Sequence, residues 1–146
     1  MKNLGELLAK SWLDKTFLNL DTLNAKDIPS TRKEAFEAQN FFYQSINKKT
    51  VGWKIGAVAK EVQEEEGYDG PVPGKIFEDT FLQINTNVDF NDIPHSNLEC
   101  EYALQFLKDS KIDNELDKDL NQIKLFTAID ITSTRYEQTS KEKFDK

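Results

Sequence analysis

The chain has 146 residues, 38% of them apolar and ten of them phenylalanine, enough to bury the core of one domain and too much for disorder. A net charge of −7 and a pI near 4.8 argue against sequence-independent binding to nucleic acid or to anionic membranes, which needs a clustered basic surface. No stretch approaches the roughly 18 uninterrupted apolar residues of a membrane span. The N-terminus also lacks the basic-then-apolar pattern of a signal peptide, so a cytoplasmic protein is expected.

In the first segment Leu4, Leu7, Leu8 and Trp12 recur at helical spacing, predicting a docking helix over 4–20 with Glu6, Lys10 and Asp14 in water. Asn24 to Pro29 reads as a loop. Thr31 and Glu34 then match a capping box and open a second helix to about Ile46, whose buried stripe is Ala35, Ala38, Phe42 and Ile46. A strand over 51–58 follows, with Val51, Trp53, Ile55 and Ala57 toward the core. Its other face holds Lys54 between Gly52 and Gly56. Glycine inside a strand marks close approach by a ligand or another backbone, so Lys54 is either placed to meet a small molecule or simply an exposed lysine in a kinked strand.

Ala59 to Glu66 reads as a short solvated helix stopped by Gly67. The loop Gly70-Pro71-Val72-Pro73-Gly74 leads into strand-like pieces at 75–77 and 81–84, and irregular β-structure continues to Pro94. His95, the single histidine, is expected to be a loop residue, since zinc sites draw on several His or Cys ligands.

A strand over 98–107 puts Leu98, Cys100, Tyr102, Leu104 and Phe106 on a core face and Glu99, Glu101, Ala103 and Gln105 opposite. The lone Cys100 reads as a buried small hydrophobe, with a catalytic thiol as the alternative. Glu99 and Glu101 stand roughly 7 Å apart by the strand rise. Such like charges repel unless water screens them or a cation lies between, so the two readings are a solvated face and a metal site. After a turn at 109–113 and a short helix at 115–122, a last strand over 123–131 turns Ile123, Leu125, Thr127, Ile129 and Ile131 inward. Asp130 falls on its other face. Arg135, five residues on, either orients Asp130, binds a substrate carboxylate, or forms a surface salt bridge. The segment 137–146 is a charged tail, and no internal repeat is present.

Four features thus stand in order: Gly52-Trp53-Lys54-Ile55-Gly56; Gln63 with the 71–74 loop; Glu99-Cys100-Glu101; and Asp130 with Arg135. Together with Glu34-Ala35-Phe36 and Gln39, this order resembles the 2-keto-4-pentenoate hydratase and 2-oxo-3-hexenedioate decarboxylase group of the fumarylacetoacetate hydrolase family, over residues 4–137. The resemblance implies an α+β fold, with N-terminal helices (1–50) packed on an incomplete mixed β-sandwich (51–146). It also implies Glu99, Glu101 and Asp130 as metal ligands, Lys54 as a catalytic residue lining the substrate, and Gly52, Gly56 and Arg135 as substrate-binding. Three carboxylates form a hard oxygen site suited to Mg²⁺ or Mn²⁺. Such an ion would stabilise an enolate of a chelating 2-oxo acid.

The implied activity is a hydratase acting on a short 2-hydroxydienoate from meta-cleavage of aromatic compounds, with decarboxylation of a 2-oxo acid as the alternative. Asp130 is one methylene shorter than the usual glutamate, and Ser133-Thr134 precede Arg135 where Asp-Ser is common. The resemblance covers only the front half of the group's length. A non-catalytic remnant that needs a partner is therefore the reading from a different class, and a homo-oligomer or a complementary chain is expected.

Overall fold

The structure is a computed structural model that describes residues 1–93, 95–107 and 122–136. These fall into two compact units, Met1–Asp89 together with Arg135 and Tyr136, and Phe90–Thr134. The architecture is α+β. The described strands form two separate antiparallel pairs.

In the first unit, α1 (Lys2–Leu13) buries Leu4 and Ala9. It stops seven residues short of the expected end because Lys15 adopts a left-handed backbone, φ 55°. The Thr16 amide then donates to the Ser11 carbonyl at 2.9 Å, the six-to-one bond of a Schellman ending. Leu18 and Leu20 are still buried, but outside a helix. The Leu18 amide donates to the Arg135 carbonyl at 2.7 Å, and a 3₁₀ turn over Leu20–Thr22 is capped by the Asn19 side chain. The expected loop at 24–29 holds a second such turn, Ala25–Asp27, whose buried Asp27 accepts from Asn3 Nδ2 at 2.9 Å.

The second helix, α2 (Arg32–Ile46), opens on the expected capping box. Glu34 accepts from the Ser30 amide and hydroxyl, both at 2.8 Å, and from the Thr31 amide. These bonds, the Ser30 amide first, hold its pKa below the ordinary glutamate value. Where α1 crosses α2, a Cβ on Gly5 would lie 2.5 Å from the Ala38 carbonyl oxygen and 2.8 Å from the Phe42 amide nitrogen. Both are backbone atoms, so only glycine permits this approach. Ala38 and Ile46 are buried as expected, whereas Ala35 is exposed. Residues 32, 39 and 43 take its place in contact with the rest of the unit, as follows.

An antiparallel pair joins β1 (Thr50–Gly56) to β2 (Val72–Phe77), with a short helix, α3 (Lys60–Glu66), between them. Gly67 ends α3 in the left-handed region, as expected. β2 begins inside the segment expected to be a loop, at Val72. It is held there by one stripe of α2. Arg32 donates to the carbonyls of Gly70 and Pro71, Gln39 to that of Pro73 at 3.0 Å, and the Lys75 amide donates to the Tyr43 hydroxyl at 3.0 Å. A strand's backbone groups alternate sides, so the Pro73 carbonyl and the Lys75 amide lie on the edge away from β1, and α2 occupies that edge. Phe77, at the end of β2, packs its buried ring against Trp12 and Tyr43, with centroids 6.1 and 6.0 Å apart. Helices and β1–β2 thus share a core, and the contacts divide the chain between Asp89 and Phe90.

In the second unit β3 (Asn97–Phe106) and β4 (Ile123–Thr132) pair antiparallel over ten residues without a bulge. The expected strand at 81–84 is absent; those residues lie after a 3₁₀ turn at Glu78–Thr80 without regular structure. The turn expected at 109–113, the helix at 115–122 except Gln122, and the tail at 137–146 lie outside the described residues.

Three expected core faces are corrected. Val51, Trp53 and Ile55 on β1 are exposed, while Gly52, Lys54 and Gly56 are half-buried. On β3, Leu98, Cys100, Tyr102, Leu104 and Phe106 are exposed, Tyr102 at 80%, and so are Leu125 and Ile129 on β4. Alternation separates the two faces of a strand correctly. Which face is buried depends on a second layer, and each described sheet has only two strands.

The α1–α2 crossing yields a direct test. Gly5→Ala should lower unfolding free energy by about 2 kcal/mol, the usual size of overpacking against rigid backbone, as read from a urea denaturation midpoint at unchanged slope.

Candidate carboxylate site

The ten-residue register brings the predicted ligands onto one face. Glu99 stands directly opposite Asp130 and Glu101 opposite Ala128, so Glu101 is the diagonal neighbour of Asp130. Opposed Cβ atoms in such a ladder are about 5 Å apart and diagonal ones about 7 Å. Glu101 and Asp130 are half-buried, Glu99 is exposed, and the Thr132 hydroxyl stands 3.5 Å from Glu99 Oε1 as its donor. All three donors are hard oxygens, the chemistry that suits a small divalent cation. Among the described residues no three such groups gather around a single point. The fit therefore resides in the backbone register and the donor set, and the side chains would have to turn to close a site.

In the first unit, Lys54 lies opposite Gly74 and between Gly52 and Gly56 on one face of β1–β2. Three glycines thus surround it. Neither Gly52 nor Gly56 has a positive φ. A Cβ at Gly52 would meet Ile76 Cδ1 at 3.7 Å, and one at Gly56 the Val72 carbonyl oxygen at 3.7 Å, both ordinary contacts. Neither conformation nor packing demands glycine there. What glycine provides at both positions is bare backbone beside a half-buried lysine.

Arg135 also belongs to the first unit. Its Nη1 is buried with no hydrogen-bond partner, and burial pulls the guanidinium pKa below its ordinary value. An orphaned charged donor is costly unless an acceptor completes it, and a carboxylate is the acceptor that guanidinium geometry fits best. Cys100, on the opposite face of β3 from the carboxylates, is exposed and thus not the core residue expected. His95 lies in a turn, as expected.

Sequence reasoning missed Arg32 and Tyr43, which with Gln39 position β2. Their spacing of seven and four residues traces one helical stripe, which was the available clue. Gln63, noted only within the resemblance, closes the turn after β1. Its Nε2 donates to the Ala57 carbonyl at 2.7 Å, where Ala57 itself holds a left-handed backbone, φ 51°.

No family model matches the chain, and no curated protein sequence does. Among solved structures it is similar to 4-oxalocrotonate decarboxylase from Pseudomonas putida G7, complexed with magnesium and adipate, with a TM-score of 0.75 and 19% identity. That likeness covers 94% of this chain and 53% of the other, so the chain spans about half the length of the structure it matches. At this identity the likeness shows the fold, an α+β fold of the kind that the sequence resemblance implied.

If the glycines flanking Lys54 serve neither turn nor packing, Gly52→Ala should leave the thermal midpoint within about 3 °C of the parent, a change under about 1 kcal/mol. A larger fall, measured by circular dichroism, would assign Gly52 to the fold.

Proposed function

We propose that the chain carries the metal-binding and substrate-binding residues of a hydratase acting on a short 2-hydroxydienoate or 2-oxo acid, as in meta-cleavage catabolism of aromatic compounds. The observation that carries the reading is the β3–β4 register, which places Glu99, Glu101 and Asp130 on one face. These three would hold Mg²⁺ or Mn²⁺. When bound, the ion supplies Lewis-acid stabilisation of negative charge developing on a 2-oxo oxygen.

The remaining roles fall to the chain's own groups. Lys54 neutralises a substrate carboxylate or carries a proton at Nζ, with Gly52 and Gly56 keeping side chains away from the bound molecule. Arg135 offers its unsatisfied Nη1 to a carboxylate. A 2-oxo acid decarboxylase is the second reading. It is favoured by the likeness to a decarboxylase structure, and it would draw on the same carboxylates. A non-catalytic remnant that depends on a partner is the third.

Glu99→Gln and Glu101→Gln should each abolish calorimetrically detectable binding of Mg²⁺ and Mn²⁺, whereas Asp130→Glu, which restores a longer arm, should bind as well as the parent or better. Unchanged affinity in both glutamine variants would return the face to a solvated role.

Loss of dienoate absorbance on addition of Mg²⁺ and a 2-hydroxydienoate should accompany metal binding. Release of carbon dioxide from a 2-oxo-3-enedioate instead selects the decarboxylase, and metal binding with neither activity selects the remnant.

A further inference from the structure

One face of the β3–β4 pair takes no part in the proposed chemistry. It consists of Leu98, Cys100, Tyr102, Leu104 and Phe106 from β3 and, opposite them, Ile131, Ile129, Thr127, Leu125 and Ile123 from β4. None of the ten is charged, in a chain where 31% of residues are. Six of them, Leu98, Tyr102, Leu104, Phe106, Leu125 and Ile129, are large apolar side chains between 53% and 80% exposed. Patches of this size on a soluble protein mark an interaction surface.

We propose that this face is covered by the same face of a second copy of the chain, making a two-fold dimer whose centre is a β-sandwich of two β3–β4 pairs. Three observations select this occupant. The six side chains expose about 800 Å² of surface, taking a large side chain as roughly 200 Å², and about 800 Å² per partner is what a standard stable interface buries. The face is ten residues long on both strands and free of bulges, so two copies can stack as aligned sheets about 10 Å apart, each following the other's twist. Charge decides the orientation. The chain carries −7, and the opposite face of the same strands holds Glu99, Glu101 and Asp130, so approach through that face sets carboxylates against carboxylates. The apolar face brings no charge of either copy together.

An isologous interface pairs each residue with its equivalent or a reciprocal neighbour. Cys100, the single cysteine, lies within the face and is exposed in one chain. It is therefore a native reporter. Multi-angle light scattering on the purified 146-residue chain, across a concentration series, should give twice the 16.8 kDa chain mass at high micromolar concentration. Over the same series the rate of Cys100 modification by a thiol reagent should fall at least tenfold as the dimer forms.

Leu104→Lys with Leu125→Lys should return a monomer with fast-reacting Cys100, and Gln105→Lys, on the carboxylate face, should leave the dimer intact. A monomer at every concentration, a dimer whose Cys100 reacts as fast as a free thiol, or growth without a defined stoichiometry would each overturn the proposal. Because the scattering and thiol measurements use the unmutated protein, a double variant that failed to fold would not weaken the test. None of these readouts requires metal or substrate, so failure here is distinct from failure of the proposed activity.

Discussion

A pair of β-strands has two faces and two edges, and most of what distinguishes this chain follows from how each is occupied. Side chains alternate across a strand, so a sequence that alternates chemistry commits each face to one character. On β3–β4 the commitment is complete, with carboxylates on one side and ten uncharged residues on the other. On β1–β2 it separates Lys54 and its glycines from Val51, Trp53 and Ile55. In both pairs the polar, chemically capable face is more sheltered than the apolar one, the reverse of a sheet lying on its own core.

The edges are treated differently. Two-stranded ribbons are marginal alone, and β1–β2 gains support because α2 donates to and accepts from the outer edge of β2 through Gln39 and Tyr43, while Arg32 anchors the chain entering it. Each of these bonds satisfies a backbone group that would otherwise need water or another strand. Lys75 adds its ammonium 4.7 Å from the Tyr43 ring, an attraction that fixes the same corner of the sheet. Since Lys54 lies opposite Gly74, between two of these anchored residues, the helix that holds β2 also fixes the backbone that carries the lysine.

Local chemistry made much of this legible. The Thr31–Glu34 capping box, the Gly67 stop and the two long alternating strands are encoded within a few residues each, and each is found where expected. Strand period put Glu99 and Glu101 on one face, whereas Asp130 joined them only through the family resemblance; the pairing that sets it opposite Glu99 appears in the structure alone. Most of what failed depended on partners remote in sequence. Alternation cannot say which face of β3 is covered, and the short apolar run at 81–84 has strand composition without a strand beside it. The early end of α1 turned on Lys15 adopting a left-handed backbone, a conformation that lysine composition does not announce. Ala35 was misread for a related reason. The stripe through Arg32, Gln39 and Tyr43 is polar, so a search for apolar spacing passes over the face that makes the contacts.

The two faces of β3–β4 are not independent. Because the side-chain period is two, slipping β3 by one residue against β4 would leave every backbone bond replaceable while moving Glu99 and Glu101 among Ile129 and Ile131. An open two-stranded ribbon resists such a slip only through its own cross-strand pairs, each worth roughly 0.2–1 kcal/mol. A layer packed on the apolar face changes that balance. The slipped register would then bury two unpaired carboxylates, each costing several kcal/mol, and would put Leu98 and Tyr102 into water. Cover on one face thus enforces the opposition of Glu99 and Asp130 on the other. The carboxylate geometry and the exposed hydrophobic face are consequences of one register.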